Sequence, residues 1–315
     1  MKPRFYRPHG ALTRFVEYFW TFEWGERDTV RTLSMFATGV SGILLQHYDG
    51  RPALGSTVSA RPVTRGGCPT GFVYGKRTRP TQTFSNGPFR LVGVVFRPQG
   101  MRMLLNTDPV ALNDRSAELG EFSREQLGDQ LLNAKDDQER LARLSTFLRA
   151  RVDGAQAEDL LVTQTLQLIR RDIWSIRVPQ LLKRLQVSER HLERRFVRAI
   201  GVSPHQYIRI LRFREALHLM KAGQFDRLSD VAYDLNYVDQ SHFIKDTKAL
   251  SGYTPKQLVT KIDAGVDLPC ALIETSRESD IALAARRHGL TIATGDDPAT
   301  RPGCQRTVTV PTMPG

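Results

Sequence analysis

Arg190, Glu193 and Arg194 have the i, i+3, i+4 spacing that puts side chains on one face of a helix. A guanidinium can donate two parallel hydrogen bonds to guanine O6 and N7, and a carboxylate can accept from the cytosine amine. Farther along, Gln240, Ser241, His242 and Lys245 form a second polar group, and glutamine carries the complementary fork for adenine N6 and N7. These side chains suit base edges in a duplex groove. Ser188, Arg198, Arg209, Arg212, Lys248 and Lys256 surround the two groups. They are assigned to phosphate contact, which positions a protein on a duplex without reading its sequence.

The elements that must carry these residues show as an internal repeat. The stretch from Ser188 to Pro204 aligns with that from Asp239 to Pro255 at a constant offset of 51 residues. The alignment pairs Ser188 with Asp239, His191 with His242, Leu192 with Phe243, Gly201 with Gly252 and Pro204 with Pro255. Ser and Asp are N-caps whose side-chain oxygens accept from open backbone N–H groups. The glycine and the proline after it mark the end of a helix. Upstream of each copy lies a shorter helical pattern, Val178 to Leu185 and Leu228 to Leu235. Helix, tight turn and capped second helix make a helix-turn-helix unit. Between the units, Pro204 to Met220 reads as one helix, about 25 Å long at 1.5 Å per residue. Such a rod can hold two reading helices about one DNA turn apart, roughly 34 Å.

The charge agrees with a polyanionic partner. The 315 residues hold 45 Lys plus Arg against 33 Asp plus Glu, a formal net charge of +12. Of that excess, +7 falls between residues 155 and 261, where 18 basic residues face 11 acidic ones. From Phe15 to Phe96 the chain is rich in aromatic and β-branched residues broken by Gly, Pro and Asn, which is strand-and-turn chemistry. Helical spacing returns between Glu139 and Trp174. The fold expected is therefore α+β. A β-rich region, a small barrel or sandwich of cupin-like kind, occupies 1–150 as a regulatory, sensing or dimerisation domain. An all-α domain of two helix-turn-helix units joined by a linker helix occupies 155–261, and 262–315 is a partly disordered C-terminal extension.

On these motifs residues 175–260 resemble the DNA-binding domain of AraC/XylS-type transcriptional regulators. The resemblance rests on SERHLERRF, GVSPHQYIRILRFREAL, DVAYDLNYVDQSHFIKD and GYTPKQL. More loosely, YRPHGALTRFVEYFW and VVFRPQGM resemble a poorly characterised domain found before it in one branch of that family. The resemblance implies a transcription regulator that binds double-stranded promoter DNA in two successive major grooves. RNA polymerase, an unidentified small-molecule effector and a homodimer are further partners it suggests. Four positions depart from the family pattern. Leu182 replaces a small alanine, Gln186 and Asn236 stand where the turns use glycine, and Thr247 replaces the phenylalanine equivalent to Phe196. The last change is expected to weaken the second unit's core by a few kcal/mol, the scale of a large-to-small core substitution.

Other chemistries have less support. His9 and His47 are the histidines of the N-terminal region, and without a His-x-His pair or a carboxylate at ligand spacing they do not suggest a metal enzyme. Phe15, Tyr18, Phe19, Trp20, Phe22 and Trp24 read as core, with a ligand pocket as the alternative. Cys68, Cys270 and Cys304 are far apart, which suggests neither a disulfide framework nor a thiolate zinc site. The start of the chain lacks the apolar segment of a secretory signal. A cytoplasmic protein without cofactor or membrane partner is expected, with a nonspecific basic nucleic-acid-binding protein as the alternative. Asp280, Asp296 and Asp297 faintly resemble the metal carboxylates of PIN-type ribonucleases, but the 50-residue segment holding them is too short for that domain.

Overall fold

The computed structural model describes residues 3–24, 30–48, 51–52, 71–86, 89–123, 127–223 and 225–263. The C-terminal extension from residue 264, its three aspartates and the three cysteines lie outside them.

The strand-rich region folds because its apolar residues alternate on two sides of a sheet. In β2 (Val16–Trp24), β4 (Gly42–Tyr48), β6 (Gly71–Tyr74) and β8 (Phe89–Phe96), one set of side chains comprises Phe19, Ile43, Leu45, Val73, Val92, Val94 and Phe96. Their neighbours Tyr18, Trp20, Leu44, Phe72, Tyr74 and Val95 form a second cluster, as the two-residue period of a strand requires. Both faces are covered, which explains why these strands read as nearly continuous apolar runs. The indole of Trp20 lies over Gly93, where a Cβ would come within 2.4 Å of Nε1.

With β1 (Arg4–Tyr6), β5 (Arg51–Pro52) and β9 (Ser116–Glu118), these strands make a seven-stranded sheet. Its order is β1-β2-β8-β4-β6-β9, with β5 beside β4. All pairs are antiparallel. The strands β3 (Val30–Met35) and β7 (Thr81–Asn86) pair separately as a two-stranded sheet. The α+β expectation holds, and among the described strands the sheet is an open path rather than a closed barrel. The first cluster is covered by α1 (Gly100–Leu105), α2 (Leu127–Leu132) and α3 (Asp137–Arg149) through Met101, Met103, Leu131, Leu144 and Leu148.

Among the described residues seven helices follow: α4 (Leu160–Arg171), α5 (Val178–Leu185), α6 (Glu189–Ile200), α7 (Pro204–Ala222), α8 (Leu228–Asp234), α9 (Gln240–Ser251) and α10 (Pro255–Asp263). One core joins α4, α5, α6 and the start of α7 through Val162, Ile169, Leu181, Leu192, Phe196 and Tyr207. A second joins the rest of α7 to α8, α9 and α10 through Ile210, Phe213, Val231, Phe243, Leu250 and Leu258. Thus α7 belongs to both cores.

The sheet region and the helices are held together at named points. The Gln99 amide donates to Asp159 O (3.3 Å) and Thr163 Oγ1 (2.8 Å), and its carbonyl accepts from Asp159 N–H. Ala37 N–H donates to Leu250 O at 2.9 Å. Phe36 sits edge-on to Phe213 and Tyr253, with ring centroids 6.0 and 6.4 Å away. Both Phe36 and Ala37 are part of the second unit's core.

Candidate nucleic-acid interface

The two reading helices start alike. Ser188 accepts from His191 N–H at 3.3 Å and Asp239 from His242 N–H at 2.7 Å, which satisfies one open donor at each start. Both helices end on a left-handed glycine, Gly201 (φ 96°) and Gly252 (φ 83°). Each turn before a reading helix also needs a left-handed residue, and Gln186 (φ 52°) and Asn236 (φ 55°) supply it. Gln186 adopts the conformation although glutamine favours it less than asparagine does. Arg177 Nη2 reaches Asn236 Oδ1 at 3.4 Å, linking the entry of the first unit to the turn of the second.

Burial separates the faces of the reading helices. On α6, Leu192, Phe196, Ala199 and Ile200 are buried, whereas Arg190, Glu193, Arg194 and Arg198 are exposed. On α9, Phe243, Asp246, Thr247 and Leu250 are buried, and Gln240, Ser241, His242, Lys245 and Lys248 are exposed. Ser188 and Lys256 are exposed as well. His242 is less free than the others, because its ring stands edge-on to Tyr237 at 5.3 Å and its Nε2 lies 3.8 Å from Asp246.

Two phosphate candidates are drawn inward instead. Arg212 donates to the carbonyls of Ile173 (3.2 Å) and Ile176 (2.7 Å), which follow the end of α4. Arg209 Nε lies 2.9 Å from Asp246 Oδ1. The structure therefore gives both a packing role, and Arg209 places a cation against a buried carboxylate. Thr247 is fully buried, and its hydroxyl has no hydrogen-bond partner among the described residues.

Sequence reasoning missed the surroundings of α6. An open cleft of about 470 Å³ is lined by Arg194, Val197 and Arg198 together with Arg102, Asn106 and Asp108 from the sheet region. At the end of α6, Asn113 Nδ2 donates to Gly201 O. A Cβ at Gly201 would stand 3.0 Å from Pro109. Arg195 turns to Asp159 as a two-pronged pair at 2.6 and 2.9 Å, and Asp159 also caps α4 by accepting from Val162 N–H. Burial pushes the Asp159 carboxyl up, but the Arg195 and backbone hydrogen bonds outweigh it and hold the group below its ordinary value. Apart from the local cap on Val162, these partners lie 36 or more residues apart in sequence, so no local spacing signals them.

Two helix pairs with matching caps and polar, basic outer faces form two helix-turn-helix units. Residues 181–261 match the family described as "Helix-turn-helix domain". Residues 4–118 match a domain of unknown function, DUF6597. Among curated proteins, the chain is 34% identical over 108 residues to an uncharacterized HTH-type transcriptional regulator, YidL, of Escherichia coli K12. The match covers 34% of this chain and 35% of the relative, so the chain spans about a third of the length of that relative. Solved structures of ToxT from Vibrio cholerae resemble the fold loosely. An apo single-substitution variant covers 78% of this chain and 97% of its own, at 13% identity and a TM-score of 0.43. A second crystal form covers 77% and 98%, at 12% identity and 0.42.

Proposed function

We propose that the protein is a sequence-specific, DNA-binding transcription regulator that reads two successive major grooves of promoter DNA, one with α6 and one with α9. The reading is carried by the matching construction of the two helices, each capped alike, packed by one face and open on the other. Base readout falls to Arg190, Glu193 and Arg194 in the first unit and to Gln240, Ser241 and Lys245 in the second, with His242 at the margin. Phosphate contact falls to Ser188, Arg198, Lys248 and Lys256. Linking the two, α7 has 19 residues and spans about 28 Å, close to the rise of one DNA turn.

Residues 1–150 act as the sensing or pairing domain, 155–261 as the DNA-binding domain and 262–315 as an extension. Contacts at the ends of both reading helices, from Asn113 and Pro109 to Gly201 and from Ala37 to Leu250, support a regulatory role for the first domain. A small-molecule effector or a second copy of the chain would act through them, and RNA polymerase would receive the output. The protein would work in the cytoplasm and without catalysis. Among the described residues no helix is long and apolar enough to cross a membrane.

The test is selection of bound sequences from random duplex DNA at physiological salt. Wild type is compared with a variant carrying Arg190→Ala, Arg194→Ala, Gln240→Ala and Lys245→Ala. A motif of two blocks about 10 base pairs apart, lost in the variant, is expected. Binding without an enriched motif, falling steeply with salt, would mark a nonspecific phosphate binder and overturn the reading.

A further inference from the structure

The two reading helices are built alike but present different chemistry at equivalent places. Where α6 carries Arg190, Glu193 and Arg194, the offset of 51 residues places Ser241, Ile244 and Lys245 on α9. The difference extends to the residue before each N-cap. Val187 is partly buried against the first unit's core, as a hydrophobic staple before a helix usually is. Its counterpart Val238 is 77% exposed. Ile244 is also exposed, at 36%, although an isoleucine on a capped, well-packed helix has an apolar core within reach.

Ile244 lies four residues after Gln240 and three after Ser241, on the same exposed side of α9, and Val238 is exposed just before the helix's N-cap. In a major groove the apolar feature of a base edge is the C5 methyl of thymine, and glutamine pairs with adenine. On α6 the same positions offer two guanidiniums and a carboxylate, which suit guanine and cytosine.

We infer that the two units read blocks of different composition: α6 a G·C-containing block through Arg190, Arg194 and Glu193, and α9 an A·T block in which Val238 and Ile244 pack on thymine methyls beside a Gln240–adenine pair. The inference rests on the two-groove reading proposed above. A protein partner fits these two side chains less well, because a chain seated on them would cover Gln240 and Lys245 and close the groove-facing side.

Uracil in place of thymine removes the methyl and leaves the base pair intact, so it isolates the contact. The full-length protein is titrated with the duplex it selects, with uracil substituted in one block at a time. Removing one buried methyl should weaken binding about fourfold, the equivalent of about 0.8 kcal/mol. Two contacted methyls should weaken it roughly tenfold or more. The loss should appear in the A·T block alone and should vanish in a Val238→Ser, Ile244→Ser variant whose circular dichroism matches wild type. Full affinity on uracil-substituted DNA, or a motif with no A·T block, would overturn this inference and leave the two-groove reading standing. No enriched motif would overturn both. Loss of binding in the variant without any response to uracil would also overturn it and assign the two side chains a role other than contact with thymine methyls.

Discussion

Replacing Phe36 with alanine should loosen the second helix-turn-helix unit, although Phe36 lies in the sheet region, far from that unit in sequence. The side chain is 2% exposed and is enclosed by the unit's core, edge-on to both Phe213 and Tyr253. Truncation of a core phenylalanine to alanine costs about 3–5 kcal/mol. At roughly 2–4 °C per kcal/mol for a protein region of this size, the midpoint of thermal unfolding should fall by about 6–20 °C. Phe36→Leu keeps most of the apolar volume and should cost less than about 1.5 kcal/mol. The Ala37 N–H to Leu250 O bond is between backbone groups, so it does not depend on the side chain at position 36. The assay is thermal unfolding of the full chain followed by circular dichroism, with selection of bound DNA from the same preparations. The alanine variant should lose specificity for one of the two blocks at a temperature where wild type retains both. A midpoint within about 2 °C of wild type, less than the smallest shift expected for one kcal/mol, would refute the account of Phe36 as part of the second unit's core.

Other substitutions separate structural from reading roles. Asp159→Asn keeps an oxygen that can cap α4 and should cost about 1 kcal/mol by weakening the two-pronged pair with Arg195. Because the folded Asp159 carboxyl is held below its ordinary value, this stabilisation is present above about pH 4, near the unfolded carboxyl. It disappears as pH falls through the folded value, so urea unfolding between about pH 7 and 3 should show wild type and variant converging at the acid end. Arg212→Ala should destabilise the fold by roughly 2 kcal/mol, since it removes charged donors from two carbonyls, and should leave the salt dependence of DNA binding unchanged. Arg198→Ala should reduce the salt slope by about 1 and leave the unfolding midpoint in place. Thr247→Val removes a buried hydroxyl that has no partner among the described residues and should stabilise the protein by about 1 kcal/mol, read as a rise in the unfolding midpoint.

Much of the reading domain was legible because its signals are local. The expected helix Val178 to Leu185 matches α5, and the caps at Ser188 and Asp239 make the bonds their residue types suggest. The linker helix runs two residues beyond the expected Met220, to Ala222. The aromatic run around β2 likewise places Phe15, Tyr18, Phe19 and Trp20 in the core. What the sequence hid depends on distant partners. Arg209 and Arg212 look like any surface cations until Asp246 and the carbonyls after α4 are seen beside them. The strand order, with β8 between β2 and β4, is set by non-local pairing that no single strand encodes. Thr247 reads as a weakness of the second core, and nothing local reveals that Phe36 and Ala37 are packed into that same core.

The most direct test of the two-groove claim is a change in spacing. With the selected duplex in hand, about five base pairs inserted between the two blocks turn the second block to the opposite face of the helix, because one turn is about 10 base pairs. A rigid α7 cannot follow that rotation, so affinity for the altered duplex should fall to that of a duplex carrying one block alone. Binding that survives the insertion unchanged would contradict simultaneous reading by α6 and α9.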